Sequence, residues 1–172
     1  MELLAVICPL DIAADDRAWI EGLRAQHDPQ HDLVAAHFTL VFPMADVSAS
    51  RLARHVEQIA SHTAAIGFQL SSARAVRDRF APRSHVFLTP DEGDAEIRRL
   101  HGILYGGELS SSLRKDVPYH PHVTVAAVDT HSAAETLGHE LGEFRISGSL
   151  RSLALMSVDE RAITQRRLFP LQ

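Results

Sequence analysis

His37-Phe38-Thr39-Leu40-Val41-Phe42-Pro43 and Pro121-His122-Val123-Thr124-Val125-Ala126-Ala127 are the two stretches that decide how this chain is read. Each sets a His-x-Thr triplet in a short apolar run with the residue types of a β-strand. Successive side chains of a strand alternate between faces, so residues i and i+2 share one. His37 with Thr39, and His122 with Thr124, therefore each aim an imidazole and a hydroxyl at one surface. The two histidines lie 85 positions apart, close to half of the 172-residue chain, and a loop precedes each triplet, which is the pattern of a duplicated unit. If the copies converge, two imidazoles and two hydroxyl donors surround one small anion. A pair of groups that titrate near neutrality can serve both ends of an in-line displacement at phosphorus, one taking a proton and the other giving one. The hydroxyls would hold the non-bridging oxygens as negative charge builds.

Working outward, residues 2–7 read as a buried strand ending at Cys8-Pro9, and a helix is predicted over 15–26, with Asp15 or Asp16 as its cap and Trp19, Ile20 and Leu23 on one face. The first motif strand, 37–42, is expected to stop at Pro43, with Phe42 in the core. A helix over 48–62 carries Leu52, Val56 and Ile59 as its apolar stripe and Ser48 or Ser50 near its cap. Strands at 67–76 and 84–89 flank the basic turn RDRFAPR, and a helix over 93–105 presents Ile97, Leu100, His101 and Leu104 on one face. A Gly- and Ser-rich loop leads to the second motif strand, 122–128. A helix over 132–141 and strands at 144–147, 149–158 and 163–168 complete the chain, the last two joined by a turn at 159–161. This order predicts an α+β protein, one bilobal domain over 1–172 in which each half brings an antiparallel sheet with helices outside it.

Composition narrows the function classes. A hydrophobic content of 45% with 23% charged residues is ordinary for a globular protein. No apolar run reaches the ~18 residues of a membrane span. The start, MELLAVICPL, lacks a basic leader region, and the single Cys8 has no partner for an internal disulfide, so a cytoplasmic location and an inert core thiol are expected. A formal charge of −5 argues against gripping a long nucleic acid. Of the eleven histidines, His27, His31, His55, His62, His131 and His139 read as surface residues, and His85 as structural. A metal site is disfavoured, because each His-x-Thr offers one good ligand and no Cys or His-Glu pair accompanies it.

Taken together, HFTLVFP at 37–43, HVFLTPDEG at 85–93 with LHGILYGGEL at 100–109, and VPYHPHVTVAAV at 117–128 resemble the 2H phosphoesterase superfamily, in its branch of 2′-5′ RNA ligases and RNA 2′,3′-cyclic phosphodiesterases. The resemblance covers nearly the whole chain. It implies two lobes related by a pseudo-twofold axis, a cleft between them, and action without metal or other cofactor. It also implies catalytic roles for His37, the acid, and His122, the base, with phosphate binding by Thr39 and Thr124. The substrate class it implies is a nucleotide or RNA terminus bearing a cyclic phosphate or a 2′-5′ linkage, opened to leave a 2′-phosphate; a monomer is expected. In one place the chain departs from that family: where a pattern like PHxTLAR has arginine, Ala127 stands here. Arg79, Arg83 and Arg114 are candidates to replace that charge, Arg83 being the one assigned to substrate binding, and Tyr119 is assigned there as a ring or hydroxyl beside the second motif. The competing reading is a module that binds a nucleotide or RNA end without cleaving it.

Overall fold

The computed structural model describes residues 2–159 and 162–172. Among the described residues, nine strands and four α-helices follow one another as β1 (Leu3–Pro9), β2 (Asp11–Ile12), α1 (Ala14–His27), β3 (His37–Met44), α2 (Ala49–Ala60), β4 (Ile66–Arg77), β5 (Ser84–Glu92), α3 (Asp94–Leu104), β6 (Val123–Val128), α4 (His131–Glu140), β7 (Ile146–Leu150), β8 (Ser152–Val158) and β9 (Ile163–Pro170). A short 3₁₀ turn, Gly107–Ser112, sits between α3 and β6. The strands form two antiparallel sheets, β3-β1-β8-β9 and β2-β7-β4-β5-β6. Helix α2 packs on the first sheet and α1 and α4 on the second, while α3 touches both, on β3 and on β4 and β5. Among the described residues no helix is long and apolar enough to cross a membrane.

The α+β class and the element order match the expectation, but the halves of the chain do not each build a sheet. β4 leaves the first motif's half to pair with β5, and β8 returns from the second half to pair with β1. Matching β1, β3 and β8 to β5, β6 and β4 preserves strand order, with each half lending two strands to the other's sheet, β2 and β4 in one direction and β8 and β9 in the other. One continuous core, from Leu4 and Val6 through Phe38 and Leu70 to Val123 and Leu153, joins both sheets. Cys8 is buried in it, and burial pushes its thiol pKa well up, which leaves it inert.

Local differences have local causes. The cap of α1 is the backbone of Ala13; Asp15 and Asp16 lie inside the first turn, where they face the positive end of the helix. Ser48 caps α2 as expected. Pro43 does not end β3, because β3 is an edge strand and its missing N–H costs no ladder bond. Of the histidines expected at the surface, His27, His31, His55 and His131 are half-buried and only His62 and His139 are exposed; His55 Nε2 lies 2.8 Å from the carbonyl of Leu104. Glu160 and Arg161 of the expected last turn lie outside the described residues.

The largest difference concerns Phe42. The register of β1 against β3 jumps from Ile7↔Thr39 to Val6↔Val41, so Leu40 is an extra residue in a bulge. Beyond it Val41 takes the core face and Phe42 turns to the face of Thr39, 44% exposed, with its ring edge-on to Tyr119 at 6.4 Å. The same device recurs in β6, where the register passes from Phe87↔Thr124 to Val86↔Ala126 and Val125 is the extra residue. Ala127 thereby takes the place in the second motif that Phe42 holds in the first.

Candidate active site

Each motif histidine is held by the same two devices. First, the ring is fixed by the chain just before it: His37 Nδ1 lies 2.8 Å from the carbonyl oxygen of Ala35, and His122 Nδ1 lies 2.6 Å from that of His120. A carbonyl only accepts, so Nδ1 carries the hydrogen in both rings and Nε2 is the free, proton-accepting nitrogen. Second, an arginine on the preceding helix pins the backbone three residues ahead of each histidine. Arg24 of α1 donates Nη2–H to the carbonyl of Val34 at 2.8 Å, while Glu21 and Asp28 hold its Nη1 and Nε at 2.8 and 2.9 Å. Glu21 also accepts the backbone N–H of Ala36 at 2.7 Å. In the second copy Arg98 of α3, held by Asp94, donates to the carbonyl of Tyr119 and reaches His120 Nδ1 at 3.1 Å. Neither arginine stands at a spacing that marks it in the sequence; the one available signal is that each belongs to the helix before its motif.

The two copies are joined across the cleft. Tyr119, just ahead of the second motif, donates its hydroxyl hydrogen to the carbonyl of Thr39 in the first, at 2.9 Å. Its ring lies parallel to His101 of α3 at 3.7 Å, and His101 Nδ1 in turn sits 2.8 Å from the carbonyl of Leu40. Tyr105 Oη takes the N–H of Phe42 at 3.0 Å. The loop of one motif is thus bonded to the strand of the other, and the charge of His37 is felt at His122. Both rings are partly exposed, and among the described residues neither the Thr39 nor the Thr124 hydroxyl has a hydrogen-bond partner.

Desolvation is the main cause that lowers the pKa of both histidines; the carbonyl bonds oppose it. His122 is moved further, to about 4, since His37, His85 and His120 add repulsion. Phe87 of β5 stacks on His122 at 3.7 Å with an interplanar angle of 17° and forms the wall behind that ring. His85, one step further along the same face, donates Nε2–H to the Asp78 carboxylate at 3.1 Å and anchors the β4–β5 turn.

The expected arginines sit elsewhere. Arg79 donates to the carbonyl of Asp116 at 3.2 Å, and Arg114 pairs with the Asp116 carboxylate at 2.7 Å and lies over the Phe80 ring. Arg83 is exposed in the same turn, next to Ser84, which pairs with Val128 at the end of β6 away from His122. The structure brings together His37, His122, Thr39, Thr124 and Tyr119, and leaves Arg83 at the turn. The described residues contain no group of three or more His, Cys, Asp or Glu side chains arranged to hold a metal ion.

Residues 11–162 match the 2′-5′ RNA ligase superfamily. The chain belongs to that family. Its membership agrees with the 2H phosphoesterase resemblance carried by the two His-x-Thr motifs. Among curated proteins none matches at the sequence level. Solved structures share the fold of this 2′-5′ RNA ligase superfamily member over nearly their full lengths. LigT of E. coli complexed with NADP+ superposes with a TM-score of 0.61 at 23% identity, covering 99% of this chain and 98% of that one. TT0787 of Thermus thermophilus gives 0.67 at 16% identity, over 98% and 97% of the two chains. Usb1 of Kluyveromyces marxianus gives 0.55 at 12% identity, over 98% of each.

Proposed function

We propose that this protein hydrolyses a 2′,3′-cyclic phosphate, or a 2′-5′ phosphodiester, at a nucleotide or RNA end, by paired histidine acid–base catalysis within one bilobal unit. The observation that carries this reading is the matched pair of Nδ1 bonds to carbonyls, which leaves two Nε2 atoms, beside two unpartnered threonine hydroxyls, to meet a phosphate. The unequal pKa values support a division of labour. His122, pushed to about 4, is neutral near neutrality and acts as the base. His37, lowered less, holds a proton more readily and acts as the acid. In the opening of a cyclic phosphate, water attacks phosphorus, His122 Nε2 takes its proton, the bond from phosphorus to the 3′ oxygen breaks, and His37 Nε2–H protonates that oxygen, leaving a 2′-phosphate. Thr39 and Thr124 donate to the non-bridging oxygens. That LigT, which shares this fold, forms crystal complexes with 3′-AMP, ATP and NADP+ supports a nucleotide as the ligand of this chain.

The test is hydrolysis of a nucleoside 2′,3′-cyclic phosphate in the presence of a chelator. Wild type is expected to yield the 2′-phosphate, and His37→Ala and His122→Ala each to lose about 100-fold or more in kcat, the usual worth of one acid or base. Hydrolysis that survives both substitutions would refute the proposal. Binding without turnover by wild type would assign the cleft to capture of an end instead.

A further inference from the structure

Resting on that reading, we infer that the cleft holds a second anion subsite at Arg74, so that the preferred substrate is a nucleotide unit carrying a second phosphate on the side of β4. The register places this residue. Arg74 pairs with Phe87, and Phe87 with Thr124, so the three stand in one cross-strand row. Directly opposed residues of antiparallel strands point to the same face. That face is the cleft's, because Phe87 stacks on His122 there. The alternating residues Ala73 and Val86 point the other way, toward Gly138 of α4. Two strand spacings put the Cα of Arg74 about 10 Å from that of Thr124, with Phe87 between them.

Arg74 is exposed, and among the described residues it has no hydrogen-bond or ion-pair partner. Arg79, Arg98 and Arg114 are already engaged, and Arg77 and Arg83 lie further along, toward the β4–β5 turn and away from Thr124. The rows on either side of it hold Ser72 with Thr89, and Val76 with His85 and Ala127, with no carboxylate among them. A guanidinium left unpaired beside an aromatic residue, one side chain away from a phosphate-binding threonine, is suited to a second phosphate oxygen pair.

The first sheet supplies the contrast that gives the substrate a direction. Its equivalent row runs Thr39, Ile7, Ala154 and Leu168, so apolar side chains stand where Phe87 and Arg74 stand in the second sheet. Ala5, Ile7, Ala154 and Met156 form a small separate apolar cluster on that face. In the first-sheet row Ile7 and Ala154 are buried and no residue offers a substrate charge, whereas the row on the second sheet ends in the exposed Arg74. The charge missing at Ala127 is supplied one row over and two strands away, where it meets a group further from the reacting phosphorus.

The experiment compares adenosine 2′,3′-cyclic phosphate with the same compound bearing a 5′-phosphate, for wild type, Arg74→Gln and Arg74→Lys. Wild type is expected to favour the 5′-phosphorylated substrate by about tenfold in kcat/KM, the size of one charge-assisted contact at a partly exposed site. Arg74→Gln is expected to bring the ratio of the two substrates close to one, and Arg74→Lys to keep part of it. Equal use of both substrates by wild type, or a ratio that survives Arg74→Gln, overturns the subsite and leaves the proposed activity standing. If wild type hydrolyses neither, the activity falls and the subsite with it.

Discussion

At the scale of single residues, the proposed chemistry depends on two imidazoles that share a tautomer and differ in basicity. Both present Nε2 to the cleft, because each gives its Nδ1 hydrogen to a carbonyl two residues back. In the proposed mechanism the productive form has His122 neutral and His37 protonated. Protonation of His122 near pH 4 removes it at the acid end. Loss of the proton from His37, whose pKa burial holds below its ordinary value, removes it at the alkaline end. A plot of kcat/KM against pH is therefore expected to be bell-shaped, with its optimum on the acid side of pH 6.5. An activity that climbs steadily through pH 8 would show that the acid is not a histidine of this kind. If Thr39 and Thr124 donate to the developing charge as proposed, replacing either with valine is expected to cost about 10²-fold in kcat, read from steady-state rates. The motif residues were legible because strand alternation alone ties each histidine to its threonine. Phe42 was not: its facing is set by the bulge at Leu40, and a one-residue slip reverses every side chain beyond it.

At the scale of elements, α1 and α3 act as holders, each reaching forward with one arginine to the segment that delivers a histidine. Their surroundings differ, which predicts different outcomes for the same kind of substitution. Arg24 is 2% exposed and shared between Glu21 and Asp28, so Arg24→Met leaves two carboxylates without their partner and is expected to destabilise the fold by about 3 kcal/mol. Arg98 is 40% exposed, and Arg98→Met is expected to leave the melting temperature close to wild type while lowering kcat about tenfold through a loosened His120–His122 segment. Thermal melts beside steady-state kinetics separate the two cases, and a large loss of stability in Arg98→Met would make its role structural. Periodicity and capping located all four α-helices to within two residues. What they could not supply was the arginine clamps, which are tertiary: a donor on a helix meets a carbonyl 10 residues on in one copy and 21 in the other. Strand β2, two residues long, left no pattern to read.

At the scale of the whole molecule, the exchange of β4 and β8 between sheets was invisible in the sequence, since alternation fixes which face of a strand is buried and leaves its neighbour open. The exchange has an energetic consequence. His37 rises from one sheet and His122 from the other, while His101 is packed between α3 and β3, so all three environments exist only when both sheets are assembled. All three histidines have pKa values lowered chiefly by desolvation. The unfolded chain, with histidines near 6.5, thus binds more protons than the folded one over the window from about pH 6.5 down to about 4. Stability is fully present above that window and is lost as pH falls through it. With a folded value of about 4, His122 alone accounts for about 2 kcal/mol by pH 5. His37 and His101 act in the same direction. For a chain of this size each kcal/mol moves the melting temperature by about 2–4 °C, so the midpoint is expected to fall by about 5 °C or more between pH 8 and pH 5. The His122→Asn variant separates this contribution from the carboxylates, which titrate lower: its midpoint is expected to fall less over the same interval. Inorganic phosphate, which favours the protonated imidazoles, is expected to recover stability more at pH 5 than at pH 8. Parallel pH profiles for wild type and His122→Asn would mean that the second motif's ring is not desolvated by the assembled cleft.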